Sequence, residues 1–561
     1  MITNFYKTFL IPNSRNKFNL KNGVLAAAVM VFGATACTSN FEELNTDPTG
    51  LTSLQAQQVG SFMQEAQRSI YYNQTNGNWE YQLIQNLNAD LYSGYLAIPT
   101  PFASNNNNSQ YVMMDGWNNQ GFKDYFLHVM KPCAALLETQ TADDYVAITK
   151  ILRVAGMSKA VDTYGPIPYS KAIKGGIFIE YDSEEAIYKS FFEDLADAIQ
   201  RLTAFVRKNG DVTGRLNFDL MCGKSHTTWL QFANTLRLRL AMRVVKVAPD
   251  LAKKEAEAAV ANPYGVLEKV NIEVKDENTR NPLMVICRDY NDCSIGASFE
   301  SILKGYKDPR LVKMALPVGW MDKGDIKDQS GKETNSIGKI YGVRNGFEVP
   351  AAGEYKMYSI PMVNTDGKDP MSTDYPLPIM KRAESYFLRA EGALRGWAMK
   401  GTAEDFYKEG VRVSFDDYKV SADYNAYIEG TTMAADYIDP HNPALNMKGM
   451  NDVPVKFMTD GTNEQKLQQI ITQKWIAGFP EGLNAWSEYR RTGYPKLFPI
   501  IANKSAFPEL TTLGIRRLPF CQNEKSFNRP GYDSGVKILE ARGGKDNIAT
   551  RLWWDTPAGN F

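Results

Sequence analysis

Histidine is almost missing from this chain: His128, His226 and His441 are the only three in 561 residues, and they stand far apart. The patterns that build chemistry on histidine or on glycine-rich loops (HExxH, GxSxG, GxGxxG and the phosphate-binding loop) are absent too. Cysteine is scarce, and no Cys lies in a CxxC pair or at zinc-ligand spacing from a His. Neither sign of charge prevails, since 63 Lys and Arg balance 63 Asp and Glu. No long basic run marks a nucleic-acid surface. After Phe32 no apolar run reaches the roughly 20 residues that a membrane span requires. These absences remove the familiar enzyme signatures, a nucleic-acid partner and a membrane-crossing body, and nothing in the pattern calls for a cofactor.

What is present begins at the N-terminus. Lys7, Arg15, Lys17 and Lys21 precede the apolar stretch Val24–Phe32, with no Asp or Glu before Glu42. Ala34, Thr35 and Ala36 then lead into Cys37. Charged region, apolar region and small residues in that order form a secretory signal. The apolar stretch is too short to cross about 30 Å of hydrocarbon. A Cys directly after the small residues has the form of a bacterial lipobox, which predicts cleavage before Cys37 and acylation of its thiol and new amino group. The alternative is an ordinary cleaved signal with a coincidental Cys. More than one acyl chain would anchor the protein stably, at about 0.8 kcal/mol per buried methylene. The expected organisation is a signal peptide over residues 1–36, a lipidated polar tether over 37–52 and a single domain over 53–561. Losing the four leader cations leaves 59 basic against 63 acidic residues, a net charge of −4. Such a body suits neutral molecules or other proteins as partners.

A hydrophobic fraction of 43% with 12% aromatics is ample for a large core. Helical periodicity appears at 54–72, where Val59, Phe62, Met63, Ala66 and Ile70 share a face, and again at 142–164, 184–205 and 229–247. Further stretches lie at 379–397, 403–415, 463–477 and 483–492. Such stripes are core-facing helix surfaces. The helices come in pairs joined by short turns, like a helical-repeat solenoid, yet no clean period of about 34 residues is visible. Long segments rich in Gly, Asn, Asp and Pro separate them at 96–120, 271–373 and 422–462. Their aromatics argue for order, and loops of this length are functional when ordered. The fold expected is mainly α: tetratricopeptide-like helix pairs carrying long ordered loops, with little β structure. Five cysteines follow Cys37, so not all can pair within the chain. Cys287 and Cys293 are close enough to bridge, and buried free thiols are the equal alternative.

Five segments carry a resemblance. In chain order they are DTYGPIPYSKA (162–172), WLQFANTLRLRLAMRV (229–244), GYKDPRL (305–311), YPLPIMKRAESYFLRAEGALRGW (375–397) and IITQKWIAGFPEGLNAWSEYRRTGYPKL (470–497). Together with NTDPTG (45–50), this ordered set is similar to signatures of the SusD/RagB family of outer-membrane lipoproteins. The resemblance implies a helical fold at the cell surface, lipid-anchored in the outer membrane. It implies a lid on a TonB-dependent β-barrel transporter of the SusC type, a partner to which captured oligosaccharides, or peptides in some members, are delivered without chemistry.

The signature residues themselves read as structural. Glu384 and Glu391 share a helix face and would be the acid and base of a surface glycoside hydrolase; the bland reading pairs them with Arg382, Arg389 or Arg395. Arg490 and Arg491 read as ties to the following loop, and Trp475 and Trp486 as core anchors. A sugar site instead needs exposed aromatic rings beside amides and carboxylates, on loops held by a scaffold. The best region is 91–120, with Tyr92, Tyr95, Phe102, Tyr111, Trp117, Asn118 and Asn119 as candidate ligand residues. A second region, 289–358, offers Tyr290, Trp320, Tyr341, Tyr355 and Tyr358, of which Trp320 joins the candidate set. A deep polar groove without an aromatic platform would favour a peptide-binding member instead.

Overall fold

Capping residues and apolar stripes together set the helices. Ser183, Ser225 and Thr402 accept hydrogen bonds from backbone N–H groups in the first turns of α5 (Glu184–Asn209), α6 (His226–Arg243) and α9 (Ala403–Asp417). Thr462 and Gln465 form a full capping box at the start of α10 (Asn463–Gly478). The computed structural model describes residues 56–70, 77–174, 176–276, 280–350, 353–363, 369 and 372–561. The expected signal peptide, Cys37 and the expected tether lie outside these described residues.

From Leu54 onward the chain forms one compact unit. Its other principal helices are α1 (Ala56–Ser69), α2 (Asp115–Tyr125), α3 (Lys131–Thr139), α4 (Asp143–Tyr164), α7 (Pro249–Ala261), α8 (Arg382–Leu394), α11 (Gly482–Thr492) and α12 (Arg529–Glu540). Successive helices pack as pairs, α4 with α5, α6 with α7 and α8 with α9. Contacts of α5 with α6, and of α8 with both α6 and α10, join the pairs into a scaffold. Strand is confined, among the described residues, to three two-stranded antiparallel ladders. They pair β1 (Leu96–Ala97) with β3 (Ser294–Ile295), β2 (Ile272–Val274) with β6 (Leu377–Met380), and β4 (Ala315–Leu316) with β5 (Ile360–Pro361). Mainly α, in helix pairs with ordered loops, is the architecture observed.

Periodicity missed α7, because its buried stripe is Ala252, Ala256, Ala259 and Val260, and alanine contrasts weakly with a polar face. The segment 96–120 was expected to be loop throughout, but α2 begins at Asp115. That helix turns Asn118 and Asp124 inward with Phe122 and Tyr125, so no apolar stripe announces it.

A second, smaller core lies in the loops. Val318, Ile326, Val343, Val349, Tyr355, Tyr358 and Leu445 pack together apart from the main core. The rings of Tyr355 and Tyr358 stack at 5.0 Å. Buried aromatics of this kind order a segment that has almost no regular secondary structure.

Candidate functional site

The structure brings the two loop regions together. Asn105 grips Val349 from both sides: its amide Nδ2 donates to the Val349 carbonyl and its Oδ1 accepts from the Val349 N–H, each at 3.0 Å. Gln110 donates to the Phe347 carbonyl at 3.0 Å, and Asn345 donates to Leu96 at 2.7 Å. Ala103, Ser104 and Asn105 all have left-handed backbones, with φ of 48°, 53° and 59°. Consecutive non-glycine residues there cost about 1–2 kcal/mol each, and the Asn105 clasp offsets part of that strain.

Burial divides the predicted ligand residues. Phe102 and Trp117 are half-buried and meet edge to face at 6.1 Å, leaving part of each ring open. Tyr92, Tyr95, Tyr111 and Trp320, by contrast, are core residues. Tyr92 packs between Tyr111 and Trp486, and its hydroxyl reaches the Asn108 carbonyl. Tyr95 donates to the Trp475 carbonyl among Trp475, Phe299 and Phe479. Trp320 spends its indole N–H on the Tyr358 carbonyl and lies beneath Lys323, whose Nζ is 3.7 Å from the ring centre. Burial, then the nearby Lys356, pushes the Lys323 ammonium down to about 8. Asn118 is buried, its Oδ1 3.5 Å from Asn108 Nδ2 and its carbonyl accepting from Tyr164. Asn119 is half-buried on a different side of α2, beside Phe122. A ring sealed on both faces stacks on nothing, so in this structure these four aromatics support the surface rather than form it.

Two aromatics of this region do meet water. Tyr290 is 42% exposed and Trp79, which the sequence reading passed over, is 49% exposed. Tyr290 sits inside the six-residue step closed by a Cys287–Cys293 disulfide, which settles the pairing left open above. Trp79 lies on the helical turn Asn78–Tyr81, which packs against Val285–Asp289. Gln82 donates to Asp292 at 3.3 Å, joining the two turns. The adjoining segment Gln82–Asn86 also packs on α2, the helix of Trp117. Trp79, Trp117 and Tyr290 therefore emerge from contiguous elements. The clue to Trp79 was its setting in NQTNGNW, a polar turn-rich run with no apolar neighbours.

The family model described as Susd and RagB outer membrane lipoprotein matches residues 43–555. The chain belongs to the SusD-like family. A chitin-binding SusD homologue from Flavobacterium johnsoniae is similar at 40% identity and a TM-score of 0.81, covering 90% of this chain and 100% of its own. A SusD homologue from Bacteroides vulgatus shares 33% identity with a TM-score of 0.80, over 89% and 98%. Another from Bacteroides ovatus shares 30%, with a TM-score of 0.79 over 90% and 100%. No functionally curated protein matches the sequence.

Four of the five long SusD-like signature segments meet in one buried ion lattice. Arg239 of α6 holds Glu384 of α8 with both ends of its guanidinium, at 2.8 and 2.5 Å. Arg491 of α11 holds Glu391 in the same forked way at 2.7 Å and also reaches Glu488 at 2.7 Å. Arg243 donates to Glu488 at 2.8 Å and lies 3.2 Å from Asp162, while Lys474 of α10 is 3.2 Å from Glu488. Burial alone would raise these carboxyls, but the surrounding cations outweigh it and hold Glu384, Glu391 and Glu488 below the ordinary range. Of the pairings expected within α8, Arg395 does reach Glu391, whereas Arg382 turns to Asp417 and Arg389 to Glu268. Arg490 donates to the Arg516 carbonyl, and Trp475 and Trp486 are buried anchors.

Asp90 is a buried acid that makes no ion pair among the described residues. Asp90, on the Ala89–Tyr92 turn against which α11 packs, accepts from Tyr81 and Gln85 at 3.2 Å. Burial raises its carboxyl to about 7; the Gln85 hydrogen bond opposes that, and the Glu481 charge adds to it. A raised folded pKa means that the native state binds the proton more tightly, so stability is lost as pH rises from about 4 to about 7. Asp90→Asn is expected to flatten that segment of the curve, read from urea midpoints at pH 5 and pH 8. Parallel curves for the two proteins would refute the assignment.

Proposed function

We propose that this SusD-like protein is a non-enzymatic cell-surface lipoprotein. It binds oligosaccharides and delivers them to a TonB-dependent outer-membrane transporter of the SusC type, while acylated Cys37 holds it to the outer membrane. The observation that carries the binding reading is the aromatic set of exposed Trp79 and Tyr290 with half-buried Trp117 and Phe102, borne on contiguous elements of a helical scaffold. A pyranose offers an apolar face to such rings and a rim of hydroxyls to Asp115, Asp289 and Asn291 nearby. The similar Flavobacterium johnsoniae protein is chitin-binding, so β-linked N-acetylglucosamine oligomers are the first ligand to try. Their acetamido methyl adds apolar area and their amide adds a donor.

Glu384 and Glu391 support the non-enzymatic reading, because each is buried and locked in a forked arginine pair. Calorimetric titration of the mature Cys37→Ala protein with chitin hexasaccharide, alongside a panel of other glycans, is expected to show saturable binding of at least one. Binding of peptides alone would overturn the oligosaccharide reading. Release of new reducing ends would overturn the non-enzymatic one.

A further inference from the structure

An apolar face lies away from the aromatic site. Phe122, Phe126, Leu127, Ile173, Ile177 and Phe527 line a groove of about 540 Å³. Ile177 and Phe527, at 75% and 78%, are the most exposed large apolar side chains among the described residues, and Phe178 beside Ile177 is 56% exposed. These are tips, not a recess. The loop 177–179 is fixed beside Phe527 because Ile179 and Asn528 exchange hydrogen bonds, N–H to Oδ1 at 3.0 Å and Nδ2 to carbonyl at 2.9 Å. Apolar patches of this kind on a soluble body mark an interface with protein or lipid.

The charges around the patch choose between them. Lys123 and Lys131 line it, and Lys171, Lys174, Lys525 and Arg529 each adjoin a lining residue in the chain. Facing acids answer some of these: Glu180 pairs with Lys171, Asp546 with Lys525 and Asp533 with Arg529, and Asp124 is 3.8 Å from Lys123. Glu524 is taken up by Tyr181 and Asn528. Lys131 and Lys174 are exposed and have no ion pair among the described residues. Exposed aliphatic and aromatic tips inside a cationic ring are the chemistry of a surface that dips into the headgroup region of an anionic bilayer. The chain's own course agrees. Cys37 precedes α1 by about 20 residues, and α1 packs on the Phe126–Met130 turn that supplies Phe126 and Leu127 to this groove. His128 of that turn meets Glu65 of α1 at 2.8 Å.

We infer that this face rests on an anionic lipid surface, with Ile177, Phe178 and Phe527 inserted and Lys131 and Lys174 at the headgroups. The inference takes its setting from the lipid-anchored reading above, but its test does not depend on the anchor or on sugar binding. The mature chain carrying Cys37→Ala would be sedimented with phosphatidylcholine vesicles containing or lacking phosphatidylglycerol. Partition is expected on the anionic vesicles only, weakening as salt rises, and falling about tenfold in the Ile177→Asp, Phe527→Asp double variant. Lys131→Glu with Lys174→Glu should remove the salt dependence. Chitin hexasaccharide titration of both variants reports separately on the aromatic site and on folding, since all four positions are exposed. Equal partition of wild type and double variant would overturn the proposal. So would a wild-type dimer that the double variant dissociates, which would assign the face to a second copy of the chain.

Discussion

Arg491→Met is expected to lower the free energy of unfolding by about 3–5 kcal/mol, the usual cost of stripping the partner from a buried charge. The side chain is fully buried between Glu391 and Glu488, with both carboxylates within 2.7 Å. Methionine fills much of the volume but leaves Glu391 with Arg395 alone and Glu488 with Lys474 and Arg243. Urea unfolding followed by tryptophan fluorescence would measure the loss, since Trp486 shares α11 with Arg491 and Trp475 follows Lys474 on α10. Adding Glu391→Gln should recover part of it, because the orphaned charge rather than the missing hydrogen bonds dominates the penalty. The pH dependence has a definite sign. Glu391 and Glu488 have folded pKa values below their unfolded value of about 4.3. Their stabilisation is therefore complete above that pH and lost as the pH falls below it. An unchanged urea midpoint combined with lost glycan binding would show that the lattice serves a ligand and not the fold.

That lattice explains why the chain's membership was legible while its binding surface was not. Arg239, Arg243, Glu384, Glu391, Glu488 and Arg491 come from helices far apart in sequence, and each must match the others in charge and reach. A set of mutually dependent buried ions leaves a recognisable ordered pattern on the chain. The scaffold helices were legible for a simpler reason: on α5, for example, Ile187, Phe191, Leu195, Ile199 and Leu202 form one buried stripe. The helix α7 was not, because alanines do the same work with less contrast. For the site the limit is different. Tyr95 and Tyr290 are the same residue type, each beside turn-forming residues (Ser93 and Gly94; Asn291 and Asp292), yet one is sealed under Trp475 and Phe479 and the other faces water. What separates them is tertiary: a ladder pairing β1 with β3 and a disulfide at Cys287–Cys293. Local sequence locates an aromatic-rich loop; long-range packing decides which of its rings are spent on the core.

That distinction yields the second large effect. Trp117→Ala and Tyr290→Ala are each expected to weaken binding of the glycan identified by titration by about 1–3 kcal/mol, roughly 5- to 150-fold, if each ring supplies one stacking face. Their unfolding midpoints should stay closer to wild type, because neither ring is fully enclosed: Trp117 is half-buried, with the edge of Phe102 beside it and one side against the core, and Tyr290 is 42% exposed. Tyr95→Ala should give the opposite result, a large loss of stability with any binding defect following from it, since its ring fills the space between three other aromatics. Trp320→Ala should resemble Tyr95→Ala, because Lys323 and the Tyr358 carbonyl already occupy its face and its N–H. The contrast between the two pairs is the sharp test. If Trp117→Ala and Tyr290→Ala bind as tightly as wild type while a folded Trp320 variant does not, loop closure over Trp320 must open on binding, and the ligand surface lies in the second loop region. If all four retain full affinity, the sugar is held elsewhere on the helical scaffold, and the exposure of Trp79 and Tyr290 serves another contact.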